Sequence, residues 1–245
     1  MKSLVLILSL FIFSSQSYGA PEKYTPKVGE TIRYNMYTLG MHVAVSTLSV
    51  EGKVFIDGKE YYHVRFETKS TPEISDTFYP LHDVHNAYLD PKTLLAVKYD
   101  KKLSEGNYQN HVFLKFYRNK KKFFAKDQID FKKGKMVPYK DPAVDILSLI
   151  FHIRGLNVDV SNEQRLSLVI HDRPLAFRGQ ITSQEKRGKH TVVHFEETQG
   201  THFTMDYTKN ARRIPLRFTM KGIQIYQHTL NVKAVLVKYS IKKSE

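Results

Sequence analysis

Apolar and polar residues alternate with period two in segment after segment of this chain, which restricts those segments to β-strands with one buried and one wet face. Tyr62, Val64 and Phe66 alternate with Tyr61, His63, Arg65 and Glu67. Val112, Leu114 and Phe116 repeat the pattern, as do Leu166, Leu168 and Ile170. Ile214, Leu216, Phe218 and Met220 alternate with Arg213, Pro215, Arg217 and Thr219. Between Val54-Phe55-Ile56 and Tyr61-Tyr62 stands Asp57-Gly58, a pair that tolerates the positive φ of a type I′ turn and so marks a hairpin. Arg187-Gly188 and Lys133-Gly134 mark two further turns.

One segment departs from alternation. From Val144 to Ile153 the apolar residues fit a helix, with Asp141 as its cap, Pro142 at the first helical position and Gly155 as its stop. The pattern as a whole predicts a mainly β protein: a curled antiparallel sheet of about 12 strands forming an open or closed barrel, with this one short apolar helix plugging its inner face. Two packed sheets are the alternative. No Pro- or Ser-rich linker separates the strand-rich halves on either side of the helix, so residues 20–245 are expected to form a single domain.

Residues 1–19 read as a secretory signal peptide. Lys2 supplies the positive start, Leu4 to Phe13 the apolar core, and Ser17, Tyr18 and Gly19 a small-residue cleavage site. The apolar run is too short to span a bilayer, which needs about 20 residues. No transmembrane segment is therefore expected in the mature chain, and the periplasm is the expected destination, with release outside the cell second. The chain has no cysteine, which excludes disulfides, thiolate metal sites and a lipid-bearing cysteine after the leader.

The formal charge is +14, or +13 without Lys2, and such a balance favours anionic partners. In an exported protein these are lipid headgroups, anionic envelope polymers or an acidic envelope protein. No nucleic-acid motif accompanies the lysines, and nucleic acid is not expected as a partner. The lysines occur in clusters such as Lys101-Lys102, Lys120 to Lys122 and Lys132-Lys133, most of them where turns are expected.

Catalytic and metal-binding patterns are sparse. His82, Asp83 and His85 form the densest polar cluster, but on a strand the two histidines point to opposite faces and no third ligand stands at a diagnostic spacing. His190 and His194 lie in a strand-forming context, too extended to chelate one ion. Ser148 sits inside an apolar helix without the elbow that a serine nucleophile needs, and adjacent Glu196 and Glu197 face opposite ways. Neither a metal nor a cofactor nor a catalytic residue is expected. Asp145 and Arg154 lie nine apart and cannot touch within a helix, so each is expected to tie one helix end to the sheet. If a pocket holds an anionic group, Arg154 is the candidate ligand-binding residue, because its planar donor fork suits carboxylate or phosphate.

Several short motifs follow one another in a distinctive order. Val28-Gly29-Glu30 precedes Tyr34 and Gly40; Asp83 precedes Tyr88-Leu89-Asp90-Pro91-Lys92-Thr93; Asp145, Ser148 and Arg154 form an Asp-x-x-Ser helix ending in arginine; Asp206, Arg213 and Pro215 form an Asp…Arg-x-Pro element. In these residues the chain resembles the bacterial exported proteins grouped as domain of unknown function 3108. The resemblance implies a β-rich exported protein without an agreed activity, in which Gly29, Glu30, Asp83, Asp90, Asp145, Ser148, Asp206, Arg213 and Pro215 are structural motif residues, Asp83 fixing a turn. A relation to the open half-barrels of lipoprotein carriers is a fold-level analogy.

Export, aromatic-rich alternating strands, a plugging helix and positive charge together lead to the expectation of a non-catalytic binding or carrier protein for a lipid or another amphipathic small molecule. An envelope interaction protein that binds anionic polymer or a protein partner through its basic surface is the alternative, and an envelope hydrolase a weaker one.

Overall fold

A computed structural model describes residues 24–170, 172–199, 203–225 and 228–242, so the signal peptide expected over 1–19 lies outside the described residues. The first half of the chain is an antiparallel meander of eight strands: β1 (Glu30–Thr38), β2 (Met41–Ile56), β3 (Lys59–Ser70), β4 (His82–Leu89), β5 (Ala96–Glu105), β6 (Tyr108–Tyr117), β7 (Lys122–Lys126) and β8 (Lys135–Pro138). The second half has β9 (Ala143–Val144), β10 (Gln164–Ile170), β11 (Arg173–Arg187), β12 (His190–Glu197), β13 (Phe203–Thr208), β14 (Pro215–Ile225) and β15 (His228–Ile241). A short helix α1 (Pro72–Thr77) joins β3 to β4, and α2 (Ile146–Gly155) follows β9.

All fifteen strands belong to one sheet, in the order β8 to β1 and then β15 down to β9. The two meanders meet in its middle, where β1 pairs antiparallel with β15 from Glu30↔Ile241 to Tyr37↔Lys233. Every pairing is antiparallel except that of β9 with β10. The sheet is not closed, because β8 and β9 stand at its two edges and do not pair with each other. It is nevertheless strongly curled. Four strand spacings would set β3 and β14 about 19 Å apart in a flat sheet, yet the rings of Phe66 and Phe218, one on each, have centroids 6.3 Å apart. Side chains bridge the seam between the edges: Lys135 of β8 pairs with Asp172 of the β10–β11 turn, and Arg118 donates from Nη1 to the Ala143 carbonyl of β9 (2.5 Å) and from Nη2 to the Ala96 carbonyl of β5.

The alternation seen in sequence explains the core. Ile32, Tyr34, Leu48, Val64, Leu89 and Leu114 turn inward and are buried. The expected turn at Asp57-Gly58 forms with φ +50° and +75°, and Gly134 and Gly188 adopt positive φ in the other two. Helix α2 lies against β3, β4, β9 and β10, so it joins strands from both halves of the order. Its Leu147, Leu149, Ile150, Phe151 and Ile153 are all buried, each worth roughly 1.5–3 kcal/mol of transfer free energy before chain entropy is counted.

Four expectations need correction. The sheet has fifteen strands rather than about 12, while of the open and closed forms expected it takes the unclosed one. Among the described residues there are two α-helices rather than one, although α1 buries no residue. The plugging helix starts at Ile146 and is capped by Asp145, not by Asp141. The Pro142 carbonyl instead accepts the Ser167 amide (3.0 Å), and Ala143 and Val144 pair with Ser167 and Leu168, so the sheet draws these residues into extended backbone. Finally, Lys101 and Lys102 lie inside β5 rather than in a turn.

Candidate functional site

Motif residues stand at both ends of α2, but only Arg154 ties its end to the sheet; Asp145, expected to do the same at the other end, bonds instead within the helix's own first turn. Asp145 Oδ1 accepts the amides of Leu147 (2.9 Å) and Ser148 (3.0 Å), while Ser148 Oγ accepts the Asp145 amide (3.0 Å), a reciprocal capping box that satisfies otherwise orphaned donors. Burial pushes the Asp145 carboxyl above its ordinary pKa, and the bonds from Ser148 and the backbone oppose that shift.

At the other end Arg154 is fully buried, and its guanidinium binds Glu30 Oε1 of β1 (2.7 Å) and the carbonyls of Arg213 (2.9 Å) and Arg212 (3.0 Å). It is sandwiched near the rings of Tyr24 (4.4 Å) and Phe151 (5.0 Å). Arg213 reciprocates from Nη1 to the carbonyls of Leu156 (2.6 Å) and Arg154 (3.3 Å), and Tyr34 donates to the Pro215 carbonyl (3.2 Å). Glu30, Arg154, Arg213 and Pro215, far apart in sequence, thus meet where the helix ends on the sheet. Among the described residues, Arg154 Nη1 and the Tyr24 hydroxyl have no hydrogen-bond partner there. Burial raises the Tyr24 hydroxyl well above its ordinary pKa against the pull of Arg154, so it stays protonated.

Beside this helix end opens a cleft of about 400 Å³. Its apolar walls include Tyr24, Leu94, Leu95, Leu156 and Leu166, and Lys92, His152 and Arg165 add polar groups. Lys92 is exposed on the β4–β5 turn, which Asp90 shapes by accepting the amides of Lys92 and Thr93 (both 2.9 Å). Arg165 is exposed and paired with Glu163 (2.8 Å). Burial lowers the His152 pKa, so its ring is neutral at pH 7. Gly155 is held close by the same wall, since a Cβ there would meet Leu94 Cδ1 at 2.9 Å.

The remaining motif residues hold other parts of the sheet. Gly29 has φ +81°, and a Cβ there would meet the Lys242 carbonyl at 3.1 Å, where β1 and β15 begin to pair. Asp206 faces outward, accepting from Arg217 Nε (2.8 Å) and lying 2.6 Å from His194 Nδ1. Asp83 was expected to fix a turn. It lies in strand β4 instead, facing inward and accepting the Ser104 amide of β5 (3.1 Å).

Asp83 belongs to a second polar group, which alternation did not reveal. Tyr99, Lys101 and Leu103 share the inner face of β5, and His85 of β4 lies 2.6 Å from the Tyr99 hydroxyl. Burial and then the Glu105 charge push the Asp83 carboxyl up to about 7, burial lowers the Lys101 ammonium, and burial drives His85 well down so that it is neutral. His82, by contrast, points outward to Glu67 (2.8 Å), so the two histidines do lie on opposite faces. Among the described residues no group of three His, Asp or Glu side chains converges as a metal site.

An unclosed, curled antiparallel sheet with a buried helix seated on a charged pair defines a mainly β protein of barrel-like architecture. The family model for a protein of unknown function, DUF3108, matches residues 33–222, and the chain belongs to that family. Among solved structures, the chain is similar to a beta-barrel-like protein of domain of unknown function DUF1849 from Brucella abortus, at 11% identity and a TM-score of 0.54, covering 90% of this chain and 99% of that one. A DUF1089 family protein from Pseudomonas aeruginosa aligns at 12% identity over 71% of this chain and 88% of its own, with a TM-score of 0.45. The first likeness shows the fold alone. A comparison with curated proteins gave no match.

Proposed function

We propose that this chain is a non-catalytic binding or carrier protein, exported to the periplasm, for an amphipathic envelope ligand made of an acyl chain and an anionic head. In this reading the sheet is an open barrel around α2, and the ligand lies beside the helix rather than at the barrel's centre. The observation that carries the reading is the cleft: about 400 Å³, walled by Leu94, Leu95, Leu156 and Leu166, with Lys92 and Arg165 exposed beside them. That volume falls within the range of small-molecule sites, and an apolar wall with a few cationic groups suits a chain with an acidic head. Between β1, β3 and β14 the rings of Tyr34 and the partly buried Phe66 both meet Phe218, at 5.1 and 6.3 Å between centroids, and occupy the space a central ligand would need. Arg154 stands behind the cleft wall: Gly155 and Leu156, which follow it, line the cleft, and its Nη1 keeps an unused donor.

The test is titration of the delipidated mature protein with 11-(dansylamino)undecanoic acid, read by dansyl fluorescence, beside the variant Gln164→Trp. Gln164 lines the cleft and is only partly buried, so the larger side chain fills space without entering the core. Saturable binding that the variant weakens at least tenfold supports the proposal. Absence of binding, or equal binding by both proteins, refutes it.

A further inference from the structure

The two ends of the sheet differ in charge, and the cleft lies at the basic one. Following the chain direction, the connections 57–58, 90–95, 118–121, 139–142, 156–163, 188–189 and 209–214 emerge at the end where α2 terminates. They carry nine Lys or Arg against five Asp or Glu. The connections at the opposite end, 39–40, 71–81, 106–107, 127–134 and 172, carry two against five. The net charges are therefore +4 and −3. Not all of these charges reach water: Arg213 is buried and Arg118 lies against the Ala143 and Ala96 carbonyls, while at the opposite end Asp127 is buried and Asp172 pairs with Lys135. Seven cations against five acids then remain at the α2 end and two against three at the other, so the asymmetry keeps its sign.

The basic residues are also placed around the cleft. Lys92 and Arg165 line it, Pro142 lines it two residues after Lys140, and the Tyr139 amide donates to the Lys121 carbonyl (3.0 Å), holding the Lys120-Lys121 turn against the same connection. Lys92, Lys120, Lys121 and Lys140 are all exposed, and none of them makes an ion pair among the described residues. An anionic surface brought to this end meets an excess of cationic groups beside the cleft, which the opposite end does not offer.

We infer that the α2 end of the sheet docks on an anionic phospholipid bilayer, placing the cleft beside the lipid from which its ligand is taken or to which it is delivered. The inference rests on the carrier reading for its purpose, but the docking itself depends only on the charge asymmetry. Each lysine near an anionic surface strengthens attachment roughly fivefold, and added salt weakens it.

The experiment compares two charge-matched double variants of the mature protein in co-sedimentation with vesicles. Lys120→Glu with Lys140→Glu alters the helix end; Lys132→Glu with Lys133→Glu alters the opposite end, and all four lysines are exposed. Unaltered protein is expected to bind phosphatidylglycerol vesicles at low salt and to leave pure phosphatidylcholine vesicles in solution. The first variant should lose at least tenfold in partitioning and the second less than threefold, with both melting cooperatively as the parent does. Equal losses in the two variants, no preference for phosphatidylglycerol, or binding of soluble heparin without any vesicle binding overturns the inference. Dansyl-acid binding measured without vesicles reports on the carrier reading separately: its loss in the unaltered protein removes that reading, whereas an end-specific vesicle result would still establish docking.

Discussion

Two buried ionisable residues set the energetics of this molecule in opposite ways. Arg154 is charged and paired, and removing one partner of a buried ion pair typically costs about 3–5 kcal/mol because the other charge is stranded. Arg154→Met should therefore destabilise the protein by that amount in urea denaturation, and combining it with Glu30→Gln should restore a substantial part, since Glu30 Oε1 is its acidic partner. A loss below about 1 kcal/mol would mean that the pair is not what anchors the helix end. Asp83 behaves differently, because burial and Glu105 raise it from 3.8 to about 7 in the folded state. Between about pH 4 and 7 the native chain then holds a proton that the unfolded chain has released, so stability falls as pH rises through that window and is independent of this group above it. In Asp83→Asn this contribution is absent. The stability difference between variant and parent should move in the variant's favour from pH 4 to pH 7, by at most about 4 kcal/mol at 1.4 kcal/mol per pKa unit. A difference that stays flat with pH would show that Asp83 ionises normally.

Elements differ in how far local sequence reveals them, and the helix shows why. Its apolar pattern was readable, and so was the Asp-x-x-Ser unit, because a capping box is a contact between residues three apart. Its start was not, since Asp141-Pro142 also has the chemistry of a helix start, and only the long-range bond from Ser167 to the Pro142 carbonyl shows that β9 takes these residues first. The strands were readable wherever alternation was uninterrupted. Where the ladder slips, as between Asp206 and Tyr207 opposite β14, the pattern misleads: Arg213 and Pro215, on the face that alternation makes polar, are both buried. Lys101 illustrates the same limit from the other side, because a lysine on an inward position reads as a solvated one until Asp83 and Glu105 are found beside it. The cleft was not legible at all. Its walls come from Tyr24, the β4–β5 turn, Pro142, the end of α2 and the start of β10, and no local pattern reports that these five segments meet.

At the scale of the whole molecule the decisive feature is that the chain's first and last strands lie in the middle of the sheet. β1 and β15 pair along their length, so the two meanders are joined by contacts about 200 residues apart in sequence, while the edges β8 and β9 are the short strands near the middle of the chain. Short edges carrying lysine, as at Lys135, suit an unclosed sheet because they discourage pairing with another chain. The central position of β15 suits cooperativity, since its loss would expose β1 and β14 along their backbones at once. It would also remove Ala234 and Leu236, which pack into the common core. A chain ending at Ile225, which keeps every strand but β15, should therefore not survive as a slightly smaller sheet with two stable halves. The expected outcome is loss of the cooperative transition in thermal unfolding and of slow amide exchange in β1 to β3 as well as β13 and β14. Retention of protected amides in β2 to β6 by the truncated chain would instead show that the first meander folds by itself, and that the pairing of β1 with β15 joins two separately stable units.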